Sequence, residues 1–527
     1  MQKQKIKQFM NNSRGSMLIL ALVLTGLFMA MTMGAIGLAL LQQKLNMIKI
    51  ASNQAVHIAE AGVNYYRWVL YHDPEEYCNK EACRASTTPY GPYAYTDASG
   101  SITGHYELYI TPPAINASTI VTVKSIGWED GHPSVKRVIE VKLGKPSWSN
   151  FATLSNNDIT FGADTEVWGP IHSNGGVRFD GIAHNIITSS KDYYTDPDHA
   201  SSDVFAFGVH THNGAGNGTY NTTEEGNPGL SLPAPDQSAT FLSGREFPVP
   251  IVSFSLLDNY ISETYIKASS SGMIIDPRSA GIADPESEPT LRNCISSTCD
   301  EGFHITLKTN NTFEIRDVSA VFPDWSNNPS ADSKSLSIKT EGAAKTFSIP
   351  ENGIIFVKNH VWIDGKINGS KVNVLAFFEP FTGTVNTASI ITNKDLLYTN
   401  YDGTDSIGLI AQGDIGPGLY SEGALSGTED QMELRIDAAM IAKTGRVGRL
   451  YYKHSSGDEY PKRQTITIYG SLATNQRYGF SYSCGTSDQW CSGYKIRNII
   501  YDNNLTLDPP ANFPTTGEYT FVSWKED

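Results

Sequence analysis

At 527 residues, 40% hydrophobic and 18% charged, the chain is too long for one ordinary core and too apolar to be disordered. A formal net charge of −15 argues against nucleic acid as a main partner, because phosphate contacts need a surplus of Lys and Arg on one face. With 46 Gly and 26 Tyr beside many β-branched residues, the composition favours strands joined by tight turns.

Residues 1–15 are polar and basic, carrying Lys3, Lys5, Lys7 and Arg14 with no acid. The next 26 residues, Ser16–Leu41, hold no charge, and about 20 apolar helical residues suffice to cross a bilayer. The basic flank predicts a single pass with the N-terminus in the cytoplasm and the bulk outside. A secretory signal would have an apolar run of only about 7–15 residues followed by a small-residue cut site, whereas here more helix follows. Leu41, Leu45, Ile48, Ser52, Ala55, Ala59, Gly62, Tyr66 and Val69 form a stripe at alternating spacings of four and three, a seam for packing on another surface. One helix over residues 16–71 is therefore expected to start in the membrane and leave it.

A short basic leader ending Arg14-Gly15, a long apolar helix, its amphipathic extension and the phrase Ala59-Glu60-Ala61-Gly62 together resemble the N-terminus of type IV pilins, and in particular PilX-type minor pilins. The resemblance covers roughly residues 10–70. It implies cutting by a prepilin peptidase between Gly15 and Ser16, storage of the helix in the membrane, and assembly with other pilins through the pilus machinery. Major pilins carry Glu at the fifth mature position; here that residue is Leu20. A subunit with nothing stacked above it needs no such carboxylate, so the departure implies a low-copy or tip position.

Cysteines fall in three local pairs, Cys78 with Cys83, Cys294 with Cys299 and Cys484 with Cys491. No CxxC knuckle is present, so three short-loop disulfides are expected rather than zinc, and with them an oxidising compartment. Residues 72–146 hold three strand-like runs, 104–111, 118–124 and 135–143, expected as an antiparallel meander under the helix, as in a pilin head.

Residues 147–527 are expected to form one large extracellular β domain. Short hydrophobic strands, most of them carrying Gly, recur: Val167–Ile171, Val361–Ile367, Gly408–Ile415, Ile436–Ala442 and Ile466–Leu472. This recurrence favours a parallel β-solenoid over an antiparallel sandwich. The fold class is thus mainly β with one long N-terminal α-helix.

Signals of chemistry are weak. His210-Thr-His212 sets two imidazoles on one side of a strand, and two His with a carboxylate can hold a metal. Its surroundings, residues 196–240, read as a long polar surface loop, so solvated histidines are expected and no metal ligand is assigned. His172-Ser173 lacks the Gly-x-Ser-x-Gly setting of a nucleophile. Asp364, Asp414 and Asp437 lie on candidate rungs, where a polysaccharide-cleaving enzyme would cluster its carboxylates; Asp beside Gly is more simply a turn residue. No catalytic residue and no cofactor is therefore assigned. The expectation is a structural or adhesive surface protein, not an enzyme, whose large domain meets a surface polysaccharide or a partner cell. Simple membrane anchoring without a filament and a membrane-tethered polysaccharide enzyme are the alternatives.

Overall fold

No proline interrupts residues 13–72 and Pro74 follows, which is the pattern of a long helix with a defined stop. In a computed structural model, helix α1 spans Ser13–His72, 60 residues or about 90 Å at 1.5 Å per residue. The structure describes residues 13–113, 118–197, 205–214, 221–226, 230–277, 291–292, 301–323, 334–452, 460–484, 489–515 and 519–526. The chain is mainly β with one long N-terminal helix, the class expected from its composition, and it divides into two units.

The first unit comprises residues up to Pro112, Val121–Gly144, and Tyr519 onward. Four antiparallel strands, β1 (Tyr90–Thr96), β2 (Ile102–Thr111), β3 (Val121–Glu129) and β4 (Lys136–Gly144), pair in sequence order. Alternation puts Tyr106, Leu108 and Ile110 of β2, Val121 and Val123 of β3, and Ile139, Val141 and Leu143 of β4 into one core. Against them α1 sets Ile58, Ala59, Val63, Tyr66, Val69 and Leu70. A fifth strand, Thr520–Glu526, closes the sheet on the free edge of β4, with Thr520 opposite Gly144 and Trp524 opposite Val141. The C-terminal strand, expected within the large domain 147–527, belongs instead to the sheet under the helix. Its partner lies more than 370 residues upstream, beyond any local pattern, so the large unit is an insertion in this sheet.

The second unit, Pro113–Ile120 with Lys145–Glu518, is built of parallel ladders. Along one, Met273–Ile275 pairs with Ile354–Val357, then Lys371–Ala376, Ser406–Ala411 and the end of Glu433–Ala442. It continues through the end of Lys462–Thr474 to Thr153–Ser155, Ile171–Ser173 and Ile187–Ser189. A second ladder runs from Gly302–Leu307 through Val361–Lys366 and Ile390–Leu397, and later through Gln489–Tyr501, Thr165–Trp168 and Ile182–Ala183. The core is the space between ladders, filled by Val, Ile, Leu and Phe.

The chain enters this stack in its middle. Thr153–Ser155 pairs both outward with Ile171–Ser173 and back with Lys462–Thr474. After growing outward past Arg245–Glu246, the chain crosses the stack as helix α2 (Leu256–Ser271) and restarts at Met273. Leu257, Ile261 and Ala268, at helical spacing, pack on Leu154, Ala473, Ile441, Ile410, Leu375, Phe356 and Ile274. Sixteen residues span about 24 Å, matching about five strand spacings of about 4.8 Å. Asp258 near its start pairs with Lys443 at 2.8 Å.

Candidate functional site

Helix α1 has two regimes. From Met17 to Ile50 its large apolar side chains, Leu20 among them, are exposed. From Ala51 onward one face is buried on the sheet. The expected assembly seam is split by this boundary. Leu41, Leu45 and Ile48 remain exposed, whereas Ala55, Ala59 and Gly62 are spent on the chain's own sheet. Small residues there let the backbones close up: a Cβ on Gly62 would run into Ser125 Oγ, and one on Gly127 would meet Ala55 O and Ala59 N, each at 2.5 Å. Gly15 and Ser16 lie in the first turns of α1, and residues 1–12 of the leader lie outside the described residues. Cys78 is bonded to Cys83 and Cys484 to Cys491; Cys294 and Cys299 lie outside the described residues.

The three aspartates singled out on the rungs are held in separate networks. Asp437 is fully buried and accepts from Tyr398 N at 3.0 Å, Tyr401 Oη at 2.7 Å and Arg435 Nε at 2.8 Å. Asp414 accepts from Arg446 N at 2.8 Å. Asp364 contacts His304 Nε2 at 2.9 Å, while Glu341 holds Nδ1 at 2.7 Å. Burial lowers the His304 pKa, but these two carboxylates override it and raise the value to about 9. Asp364 lines an open groove of about 820 Å³ together with Glu341, Asp395, Glu422 and Asp430. Burial, reinforced by Glu422, raises the Asp395 pKa to about 7. Nothing in the spacing of residues 304, 341, 395 and 422 announces this groove, because it is assembled across ladders.

His172 and Ser173 do not form a nucleophile pair. His172 contacts Thr188 Oγ1 at 2.9 Å and Asn174 Oδ1 at 3.1 Å, and Ser173 Oγ donates to Asn157 O at 2.8 Å. His184 stacks on the exposed ring of Trp168.

His210 and His212 overturn the expectation of solvated loop histidines, being 0% and 4% exposed. The strand Val209–His210 pairs in parallel with Val177–Phe179, His210 opposite Arg178. Val209 faces the core, so His210 faces away from it. A small antiparallel sheet of Tyr193–Thr195, Phe205–Phe207 and Glu225–Gly226 carries Tyr194 and Glu225, and Asp196 follows its first strand. Asp196, His210, His212 and Glu225, all buried, each offer one ligand atom, and these atoms lie within 4.8 Å of one another. Glu225 Oε1 is 3.0 Å from His210 Nε2 and 2.8 Å from His212 Nε2; Asp196 Oδ2 is 3.5 and 3.7 Å from the same nitrogens. The His-x-His phrase was visible in the sequence; the two carboxylates, thirteen or more residues away, were not.

No protein-family model matches the chain, and no curated protein matches it. Among solved structures, one similar chain is the competence-associated pilin ComZ from Thermus thermophilus. It shows 12% identity and a TM-score of 0.27, with 90% of this chain and 98% of that chain covered. A likeness of that size fixes neither fold nor function.

Proposed function

We propose that this chain is a membrane-anchored, pilin-like surface protein of the PilX-type minor kind, with a structural or adhesive rather than enzymatic role. The observation that carries the reading is the division of α1. One uninterrupted helix buries residues from Ala51 onward in its own head and leaves the apolar Met17–Ile50 uncovered. Uncovered apolar surface of that length is costly in water and suits a bilayer or the helices of other subunits. At about 50 Å, Met17–Ile50 is longer than a membrane core of about 30 Å, leaving turns that protrude toward the head. On this reading the N-terminus is cytoplasmic, other pilins and the assembly machinery contact the uncovered face, and Leu20 favours a low-copy or tip place. The large inserted unit faces outward and meets a surface polysaccharide or a partner cell.

The expected result is a mature protein beginning at N-methylated Ser16 in cells with an active prepilin peptidase, and at Met1 without it. Mass measurement of the N-terminal peptide from native membranes checks this. A terminus elsewhere, or one indifferent to the peptidase, leaves a plain anchor and removes the pilus.

Asp395 and Glu422 favour a second reading, cleavage of a polysaccharide. A half-buried carboxyl whose pKa is raised to about 7 beside a second carboxylate is the arrangement of an acid catalyst and its partner. On this reading, purified protein releases new chain ends from an envelope polysaccharide, and Asp395→Asn and Glu422→Gln each reduce the rate at least about 100-fold. Absence of product across polysaccharide classes ends the second reading.

A further inference from the structure

We propose that Asp196, His210, His212 and Glu225 form a closed site for one divalent transition-metal ion of the zinc class, which ties the small antiparallel sheet to the strand Val209–His210. Two imidazole nitrogens with two carboxylate oxygens are a borderline donor set suited to zinc and its neighbours; calcium and magnesium prefer oxygen alone. The spacing fits. Bonds of about 2.0–2.1 Å to a tetrahedral centre place ligand atoms about 3.3–3.4 Å apart, and the four histidine–carboxylate separations run from 2.8 to 3.7 Å.

His210 points to the occupant. Its ring is fully buried and Nε2 has two carboxylate oxygens within 3.5 Å, yet makes no hydrogen bond with either. A buried nitrogen aimed between two acceptors, rather than at one, is directed as a lone pair toward a shared centre would be. The surroundings hold the ligands in place, as supporting groups do around metals. Tyr194 Oη lies 3.3 Å from His210 Nδ1, Asn221 N donates to Glu225 Oε2 at 3.1 Å, and Asp180 accepts from His212 N at 2.7 Å.

Carboxylates gather at this point: among the described residues, Asp180, Asp196 and Glu225 lie around the two rings, with Arg178 beside Asp180 and Asp196. Such surroundings suit a divalent cation; two imidazolium ions paired with the carboxylates are the competing arrangement. All four ligands are protein groups and all are buried, so the site is structural rather than catalytic.

The test uses the full chain in detergent, purified without a histidine tag, stripped by chelator and dialysed against zinc alone. About one zinc per chain should be retained, and cobalt in its place should give the visible absorption of a tetrahedral centre. His210→Gln with His212→Gln should lose both. Tyr194→Phe, which leaves the ligands intact, should weaken zinc about 10–100-fold. Should the double variant not fold, Asp196→Asn serves, with lost zinc retention as its readout. Zinc retention equal in wild type and ligand variants overturns the proposal. So does a folded wild-type chain that binds no zinc or cobalt, which would leave the imidazolium pairing.

Discussion

Gly127→Val should open the helix–sheet unit. Gly127 sits on β3 where α1 crosses it, and its added Cβ would meet backbone atoms, Ala55 O and Ala59 N at 2.5 Å and Ala59 Cα at 3.0 Å. Backbone cannot rotate away as a side chain can, so helix and sheet must separate. Separation loosens Ile58, Ala59 and Val63 against Val121 and Val123. Overpacking of a tight contact costs up to about 3 kcal/mol, which corresponds to about 100-fold faster exchange of protected amides. Hydrogen exchange in detergent should show that acceleration in α1 beyond Ala51 and in β3, while Ser406–Ala411 of the second unit keeps its protection. Gly37→Ala is the matched control, since a Cβ there meets nothing within 4 Å, and it should leave the head's exchange unchanged. Unaltered exchange in Gly127→Val would mean that the helix does not lie this close to the sheet.

The same contact shows what the sequence made legible. Ala55, Ala59 and Gly62 announce a close approach because small residues at helical spacing on an amphipathic face let another backbone come near. Their partner was not legible: Gly127 and Ser125 are strand residues like any other until the register of β3 is known. Hence the stripe looks like one seam, although it serves two surfaces, one before Ala51 and one after it. The five recurring phrases of the large unit all fall on or beside its parallel strands, because local alternation survives whatever the partner is. The partner itself is set by stacking. That is why the closure of the sheet by Thr520–Glu526, the re-entry of the chain beside Thr153–Ser155, and the meeting of Asp196 and Glu225 with His210 all escaped pattern reading. Each joins segments whose sequence separation carries no periodic signal.

His304 should make the second unit lose stability in mild alkali. Its ring bridges two strands of different kinds: Asp364 on Val361–Lys366, paired in parallel with its own strand, and Glu341 at the end of Lys334–Glu341. Burial alone would lower the pKa, yet the two carboxylates raise it to about 9, against about 6.5 in an unfolded chain. The folded state therefore binds the proton more tightly. Its contribution is complete below about pH 6.5 and disappears as pH rises through about 9, a change of about 3 kcal/mol at most. On the acid side burial alone would raise the Asp364 carboxyl, but the pairing with His304 outweighs it and lowers it, so its contribution is present above about pH 4 and fades as pH falls further. Stability from this bridge should therefore be greatest between about pH 4 and 6.5. Urea unfolding at pH 6 and pH 9.5 should show the fall, and His304→Gln should flatten it. Asp364→Asn should move the His304 titration downward, because it removes the first of its two anionic partners. A His304 titration near 6.5 in the folded protein, seen by NMR, would show that the bridge is not formed. The consequence reaches the groove, since Glu341 and Asp364 line it together with Asp395 and Glu422. Deprotonation of His304 leaves both carboxylates without their shared cation and loosens the strand Lys334–Glu341 at the groove's edge.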